Sequence, residues 1–260
     1  MEVSFFFGPA YKFCSAATLT LIVRNRRLRF SRADTFNDAF ELSPFLMPLN
    51  WDEIVELKKT HPDKANELVA TAFQRVCSSL YITCFSKNYL TPTSQLMWAH
   101  YGANHAGVCI CVDFSDLRSN GSSEGFYPVQ VQYSDSLFDE RQRRSPTSPD
   151  LGMFIGATKS KVWSYEEEVR LVIEADSFDS TKFNSSADSK TIDVVFNPEC
   201  ILKVVFGLKS STEDIKSFVE SFCDLGHAPL FTRLDLDPLT LDVVEKDLGI
   251  TQEILKNRNK

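Results

Sequence analysis

No run of about 18 apolar residues occurs in this 260-residue chain, so no membrane-spanning helix is expected. The Phe5-Phe6-Phe7 run is far too short for a secretory segment and no positive stretch precedes it, which speaks against a signal peptide. A basic excess is also missing. The net charge of −7 and pI near 5.2 argue against a general nucleic-acid-binding surface. Two local basic clusters (Arg24, Arg26, Arg27, Arg29; Arg141, Arg143, Arg144) have the ordinary explanation of a solvated face. There is no C-x-x-C pair. The seven cysteines (14, 77, 84, 109, 111, 200, 223) are odd in number and sit among apolar neighbours. Cys109-Ile110-Cys111 alone is a weak metal signal, so buried free thiols in a reducing cytoplasm are expected, and no metal. The nucleophile elbow, the phosphate-binding P-loop and the dinucleotide G-x-G-x-x-G fingerprint are all lacking, which disfavours the common hydrolase, NTPase and dehydrogenase classes.

What is present is an ordinary composition with one skew. Hydrophobic residues make up 43% and charged residues 24%, but 21 are Phe, which implies a core of bulky rings. Residues 10–31 read as strand, helix, strand, with Leu19, Ile22 and Val23 at helical spacing and Ser15 or Thr18 as cap. Asp34 to Glu41 reads as a polar turn. Residues 51–80 read as a helix pair broken at His61-Pro62-Asp63. Strands are expected at 81–86, 107–114, 129–133, 191–196 and 201–206, with helices at 94–101 and 211–223. The segments 115–125 and 139–150 read as a loop and an excursion, and residues 239–255 as one or two short helices. With no internal repeat and no linker, residues 1–260 are expected to form one α+β domain, with its motifs in 11–210 and a helical tail at 211–260.

The segment from Lys159 to Ile173 carries the strongest chemical signal. Read as a strand, it places Val169, Leu171 and Ile173 on one face and Glu166, Glu168 and Arg170 on the other. Two carboxylates at that spacing lie about 6–7 Å apart, and an adjacent arginine favours ionisation. Glu168 and Glu166 are therefore candidate catalytic groups; the ordinary alternative is a solvent-facing Glu–Arg edge. His100, between Trp98 and Tyr101, is a candidate acid–base or orienting residue, or else a helix-end histidine bonded to a carbonyl. Ser31 and the turn Phe36-Asn37-Asp38 are candidate binding residues, although Asn and Asp also form turns unaided.

Taken in order, five motifs resemble a bacterial domain-of-unknown-function family (number 2971): Tyr11-Lys12-Phe13, Phe30-Ser31 with Phe36-Asn37-Asp38, Cys84-Phe85-Ser86, Met97-Trp98-Ala99-His100-Tyr101 with Gly107, and Lys159 with Trp163 to Leu171. The match spans about residues 11–210. More distantly, the opening is similar to that of ADP-ribosyltransferase-like enzymes, although those carry His or Arg where this chain has Tyr11-Lys12-Phe13. That resemblance implies a split, twisted β-structure flanked by helices, holding NAD as substrate in a cleft, with a late glutamate stabilising an oxocarbenium-like ribose.

On this reading the chain is a cytoplasmic NAD-dependent transferase or NAD-consuming enzyme of toxin or anti-phage type, with Glu168 catalytic and Glu166 and Arg170 in support. Tyr11, Lys12, Ser31, Asn37, Asp38, Tyr101, Trp163, Tyr165 and Arg170 would bind the nucleotide. The acceptor, protein or nucleic acid, stays open, and no membrane partner is expected. The alternative is a non-catalytic module in which Trp98, Trp163 and Tyr165 cage a nucleotide or small anion held by Arg170 and Lys159. A third possibility is a purely structural cluster, identified by a buried Glu168 with no adjoining pocket.

Overall fold

Local signals set the first three elements. Strand β1 (Pro9–Cys14) stops at Ser15, whose hydroxyl accepts the Thr18 N–H at 3.1 Å and caps helix α1 (Ala16–Asn25). Arg26, left-handed at φ 50°, closes the helix by donating its N–H to the Ile22 and Val23 carbonyls, and β2 (Arg27–Arg32) returns. The structure, a computed structural model, describes residues 4–36, 38, 41–42, 46–47, 49–114, 126–136, 151–174, 183–184, 190–223 and 229–250. The expected helix pair is α2 (Trp51–Thr60) and α3 (Pro62–Cys77), with Pro62 in the first turn where its missing N–H costs nothing. Next come β3 (Leu80–Ser86), α4 (Ser94–His100), β4 (Val108–Asp113), β5 (Phe126–Gln130) and β6 (Gln132–Ser134). They are followed by α5 (Leu151–Gly156), β7 (Thr158–Ser160), a 3-10 turn (Lys161–Glu166), β8 (Glu168–Glu174), β9 (Phe183–Asn184) and β10 (Thr191–Val195). The described chain ends with β11 (Ile201–Phe206), α6 (Thr212–Cys223), β12 (Leu230–Leu236) and β13 (Val243–Asp247).

The result is an α+β fold on one large mixed sheet, ordered β13-β12-β11-β4-β1-β3-β2-β10-β9, with β8 and β5 branching from β3. Every pairing in it is antiparallel except β11 with β12. The branch creates the split. Along one edge β3 pairs with β8 over its whole length, from Leu80↔Glu174 to Ser86↔Glu168. On the other edge β1 touches it only at Tyr11↔Ser86, and β2 only at Ser31↔Ile82 and Arg32↔Tyr81. Residues 83–85 pair with neither strand there, and Lys12 fills the gap, donating to Thr83 Oγ1 and to the Cys84 carbonyl, both at 3.0 Å.

One sheet face is covered by α1 and α6, whose Leu19, Ile22, Val23, Phe218 and Phe222 pack on Ile110, Val169, Val204 and Phe231. The other face carries two separate apolar clusters. One joins Leu80, Ile82 and Val172 to α5; the other joins Phe13, Cys109 and Val205 to Met97 and Trp98 of α4. Polar groups occupy the space between them.

The C-terminal region differs from expectation. Residues 230–236 and 243–247 are strands that pair with each other, where a helical tail was expected. The apolar residues of 239–255 fit a helical period in isolation, but pairing with β12, itself parallel to β11, decides otherwise. The segment 115–125, the excursion 139–150 and the end of the chain from residue 251 lie outside the described residues. Among those described, no helix is long and apolar enough to cross a membrane.

The turn after α4 is fixed by two close approaches. A Cβ on Gly107 would collide with the Cys14 carbonyl oxygen, and one on Gly207 with the His105 carbonyl oxygen. Both obstacles are backbone and cannot swing aside. Gly107→Ala and Gly207→Ala should each cost about 1–3 kcal/mol in chemical denaturation, while Gly152→Ala, which faces only Leu80 and Glu174 side chains, should cost less.

Candidate functional site

Between the two apolar clusters lies a cavity of about 190 Å³, walled by Tyr11, Phe13, Phe36, Phe85, Met97 and Tyr101 and floored by Lys12, Glu41, Cys84, Ser86, Lys159, Glu166 and Glu168. Lys12, Phe36 and Cys84 also line a second, more open cavity of about 330 Å³, completed by Arg29, Ser31, Thr35, Ile82 and Thr83. The two cavities thus adjoin at the split between β1 and β2. Residues from all five motifs therefore converge on one region, expected site residues from four of them and Cys84, Phe85 and Ser86 from the fifth, although Tyr11 and Glu168 are 157 positions apart.

The floor is a network of buried charges. Lys159 Nζ lies 2.5 Å from Glu166 Oε2, 3.1 Å from Glu168 Oε2 and 3.3 Å from Glu41 Oε2. Arg170, 0% exposed, donates through Nε and Nη2 to the two oxygens of Glu168 at 2.8 and 2.9 Å and through Nη1 to the Gly156 carbonyl at 2.5 Å. It also pairs with Glu41. Each charge in this network has a partner, the condition under which burial of ions is tolerated. Backbone geometry builds it. Glu166 ends the 3-10 turn, and Glu167, left-handed at φ 43°, swings the chain into β8. The expectation that Glu166 and Glu168 share one strand face is therefore corrected: Glu166 precedes the strand, and both carboxylates meet on Lys159. Nor is the Glu–Arg edge solvent-facing. It is buried, and a cavity adjoins it.

The acids differ in how fully they are used. Glu168 receives three donors from Arg170 and Lys159 and is in contact with the Cys84 thiol. Glu166 receives Lys159 on one oxygen and the Tyr101 hydroxyl, at 2.8 Å, on the other. A carboxylate has about four lone-pair sites, so Glu166 alone of the pair retains acceptor capacity toward the cavity. Burial holds the Glu168 carboxyl above the usual glutamate range, against the pull of Lys159. Burial alone would lower Lys159, but Glu168 and Glu166 more than offset it and raise it. Burial lowers Arg170 to about 9, which leaves it charged at neutral pH. It also lowers Lys12 and raises the Cys84 thiol.

The remaining candidates separate. Tyr11, Lys12 and Tyr101 line the first cavity, and Ser31 the second. His100 is exposed, lines neither cavity, and its Nδ1 lies 3.4 Å from the Tyr165 hydroxyl. Trp163 and Tyr165 form an outer aromatic pair, ring centroids 6.0 Å apart, with Lys159 Nζ 5.2 Å from the Trp163 ring. Trp98 is wholly buried and bonded to the Tyr89 carbonyl, so it belongs to no cage with them. Asp38 lines neither cavity, and Asn37 lies outside the described residues. Cys84 and Ser86, noted only as a family motif, and Glu41, noted only as the end of a polar turn, are floor residues absent from the expected site. Glu41 is the charged one. Its only local signal is its place three residues after Asp38 in a turn, and nothing in that turn announces ion pairs to β7 and β8. Among the described residues, no group of three or more His, Cys, Asp or Glu could hold a metal ion.

Residues 97–171 match the model of a family described as "Protein of unknown function (DUF2971)". The match bears out the family resemblance drawn from the motifs, two of which lie inside it. Neither a curated protein nor a solved structure matches the chain.

Removing one partner from this network should be costly. Lys159→Ala, which leaves Glu166 with no cationic partner and Glu168 and Glu41 with Arg170 alone, should lose about 3–5 kcal/mol in urea denaturation. Because the folded-state pKa of Glu168 is raised, its contribution to stability is present below the unfolded value and lost as pH rises through the folded one. Carboxyl ¹³C titration should accordingly place Glu168 above an ordinary glutamate, and Lys159→Met should raise it further.

Proposed function

We propose that the paired cavities bind a nicotinamide dinucleotide and that the protein cleaves its glycosidic bond, as an NAD-consuming enzyme or ADP-ribosyltransferase-like transferase. The observation that carries this reading is Glu166, a carboxylate with spare acceptor capacity, facing an aromatic-walled cavity that opens onto a cationic, hydroxyl-lined one. The first cavity, at about 190 Å³, falls below the roughly 300 Å³ at which pockets for larger ligands begin. It suits a pyridinium ring with its ribose, stacked among Tyr11, Phe36 and Tyr101. The second is lined by Ser31 and by Lys12, whose ammonium has one N–H left beyond Thr83 and the Cys84 carbonyl for a phosphate oxygen; the Arg29 fork there is already paired with Asp193.

In the proposed step the C1′–N bond breaks and its electron pair stays on the ring nitrogen. Neutral nicotinamide leaves, and positive charge develops on the ribose. Glu166 stabilises that charge and accepts a ribose hydroxyl, while Tyr101 and Lys159 hold its oxygens in place. Water or an acceptor nucleophile then bonds C1′ and loses a proton. Glu168, whose oxygens Arg170 and Lys159 already occupy, acts as a positioning residue for Lys159. We place this activity in the cytoplasm, where the six described cysteines, all free thiols, would stay reduced.

One observation favours the non-catalytic alternative. A floor in which Lys159 and Arg170 hold Glu41, Glu166 and Glu168 can anchor a ligand without acting on it. The two readings separate in one assay, NAD incubated with the protein, with nicotinamide release followed by chromatography and binding by calorimetry. Glu166→Gln should lower kcat by about 10²–10³-fold and leave Kd within a few-fold. Binding without turnover would favour the sensor module, and neither binding nor turnover would exclude both.

A further inference from the structure

Tyr89 lines neither cavity, yet its ring and its carbonyl hold β1 and α4, which do, while its hydroxyl ties them to β11 and β13. It sits in the connection between β3, which supplies Cys84, Phe85 and Ser86, and α4, which supplies Met97. Its ring packs on that of Tyr11, centroids 4.6 Å apart and planes at 38°. Its carbonyl accepts Trp98 Nε1 of α4 at 3.0 Å. Its hydroxyl donates to Glu245 of β13 and accepts from Lys203 Nζ of β11 at 2.9 Å, and Lys203 and Glu245 are themselves 3.1 Å apart. Lys203 Nζ also lies 5.0 Å from the Tyr89 ring centroid. Burial alone would lower Lys203, but its bonds to Tyr89 and Glu245 raise it; burial alone would raise Glu245, but Thr232, Tyr89 and Lys203 together lower it, so the pair is charged at neutral pH.

We propose that Tyr89, fixed by Lys203 and Glu245, is a positioning residue that sets the Tyr11 wall and α4 against the cavity and so determines ligand affinity rather than the chemical step. Tyr11 is a cavity wall whose outer face is covered by Tyr89, and a wall free to swing must be ordered by the ligand at the expense of binding. Glu166 receives its donors from Tyr101 and Lys159, neither of which bonds Tyr89, so the carboxylate itself is untouched. The substrate named in the kinetic test rests on the reading above, while the clamp itself does not.

The full-length protein, Tyr89→Phe, Glu245→Gln and Lys203→Met are compared by two readouts. The first is KM and kcat for nicotinamide release from NAD. The second needs no NAD: the rate at which methyl methanethiosulfonate modifies Cys84, a thiol lining both cavities, measured by peptide mass mapping. Tyr89→Phe keeps the ring and loses only the tethering hydroxyl. It should raise KM about 10-fold with kcat unchanged within two-fold, and should accelerate Cys84 modification several-fold. Glu245→Gln and Lys203→Met should move both readouts in the same direction. A fall in kcat at constant KM, or unchanged Cys84 reactivity in all three folded variants, would overturn the proposal. If the unmodified protein releases no nicotinamide, the catalytic reading fails alone, and the Cys84 rates still decide the clamp.

Discussion

A single β-strand whose edge is shared by two others governs most of what this protein can do. β3 commits one edge wholly to β8, and on its other edge β1 and β2 each take only a corner. The unshared stretch, residues 83–85, opens the sheet. A gap in a sheet interior is costly unless polar backbone is satisfied. Here Lys12 reaches in to bond the Cys84 carbonyl, and the two cavities adjoin at its side. The split thus brings a cation, a thiol and two differently lined spaces to one point, with no loop needed to carry them.

The opening also explains why so much charge is buried beside it. Glu168 and Arg170 face the same side of β8, the side that lacks a continuous apolar cluster because the sheet is parted there. Lys159 and Glu41 then neutralise what the strand imposes. A network of this kind contributes little net stability compared with an apolar replacement, but removal of any member leaves a stranded charge. What it provides is a rigid electrostatic floor, with Glu166 at its margin and acceptor capacity still unused.

Much of this was legible in the sequence. Ser15 as a cap, Pro62 at a helix start and the alternation of Leu28 and Phe30 are local signals, and each element formed where they indicated. Likewise Val169, Leu171 and Ile173 face one core while Glu168 and Arg170 face away from it. Legibility failed where pairing is non-local. Residues 243–247 became a strand because β12 was there to receive them, and Glu41 became a floor residue through ion pairs with residues more than 110 positions away. His100 shows the reverse failure. It sits inside a motif with Trp98 and Tyr101, but helix periodicity turns Trp98 inward and leaves His100 exposed.

By itself the sequence determined the α+β class, a family resemblance over part of the chain and the identity of the chemically loaded segment, because periodicity, capping and motif order are properties of neighbouring residues. Only the tertiary structure decided that the two glutamates are unequal. Glu168 is filled by Arg170, Lys159 and the Cys84 thiol, whereas Glu166 retains lone pairs toward a cavity. That distinction depends on how many donors converge on each carboxylate, and those donors come from β7, β8 and the end of α4, where Tyr101 follows the helix, elements that only the folded sheet brings together.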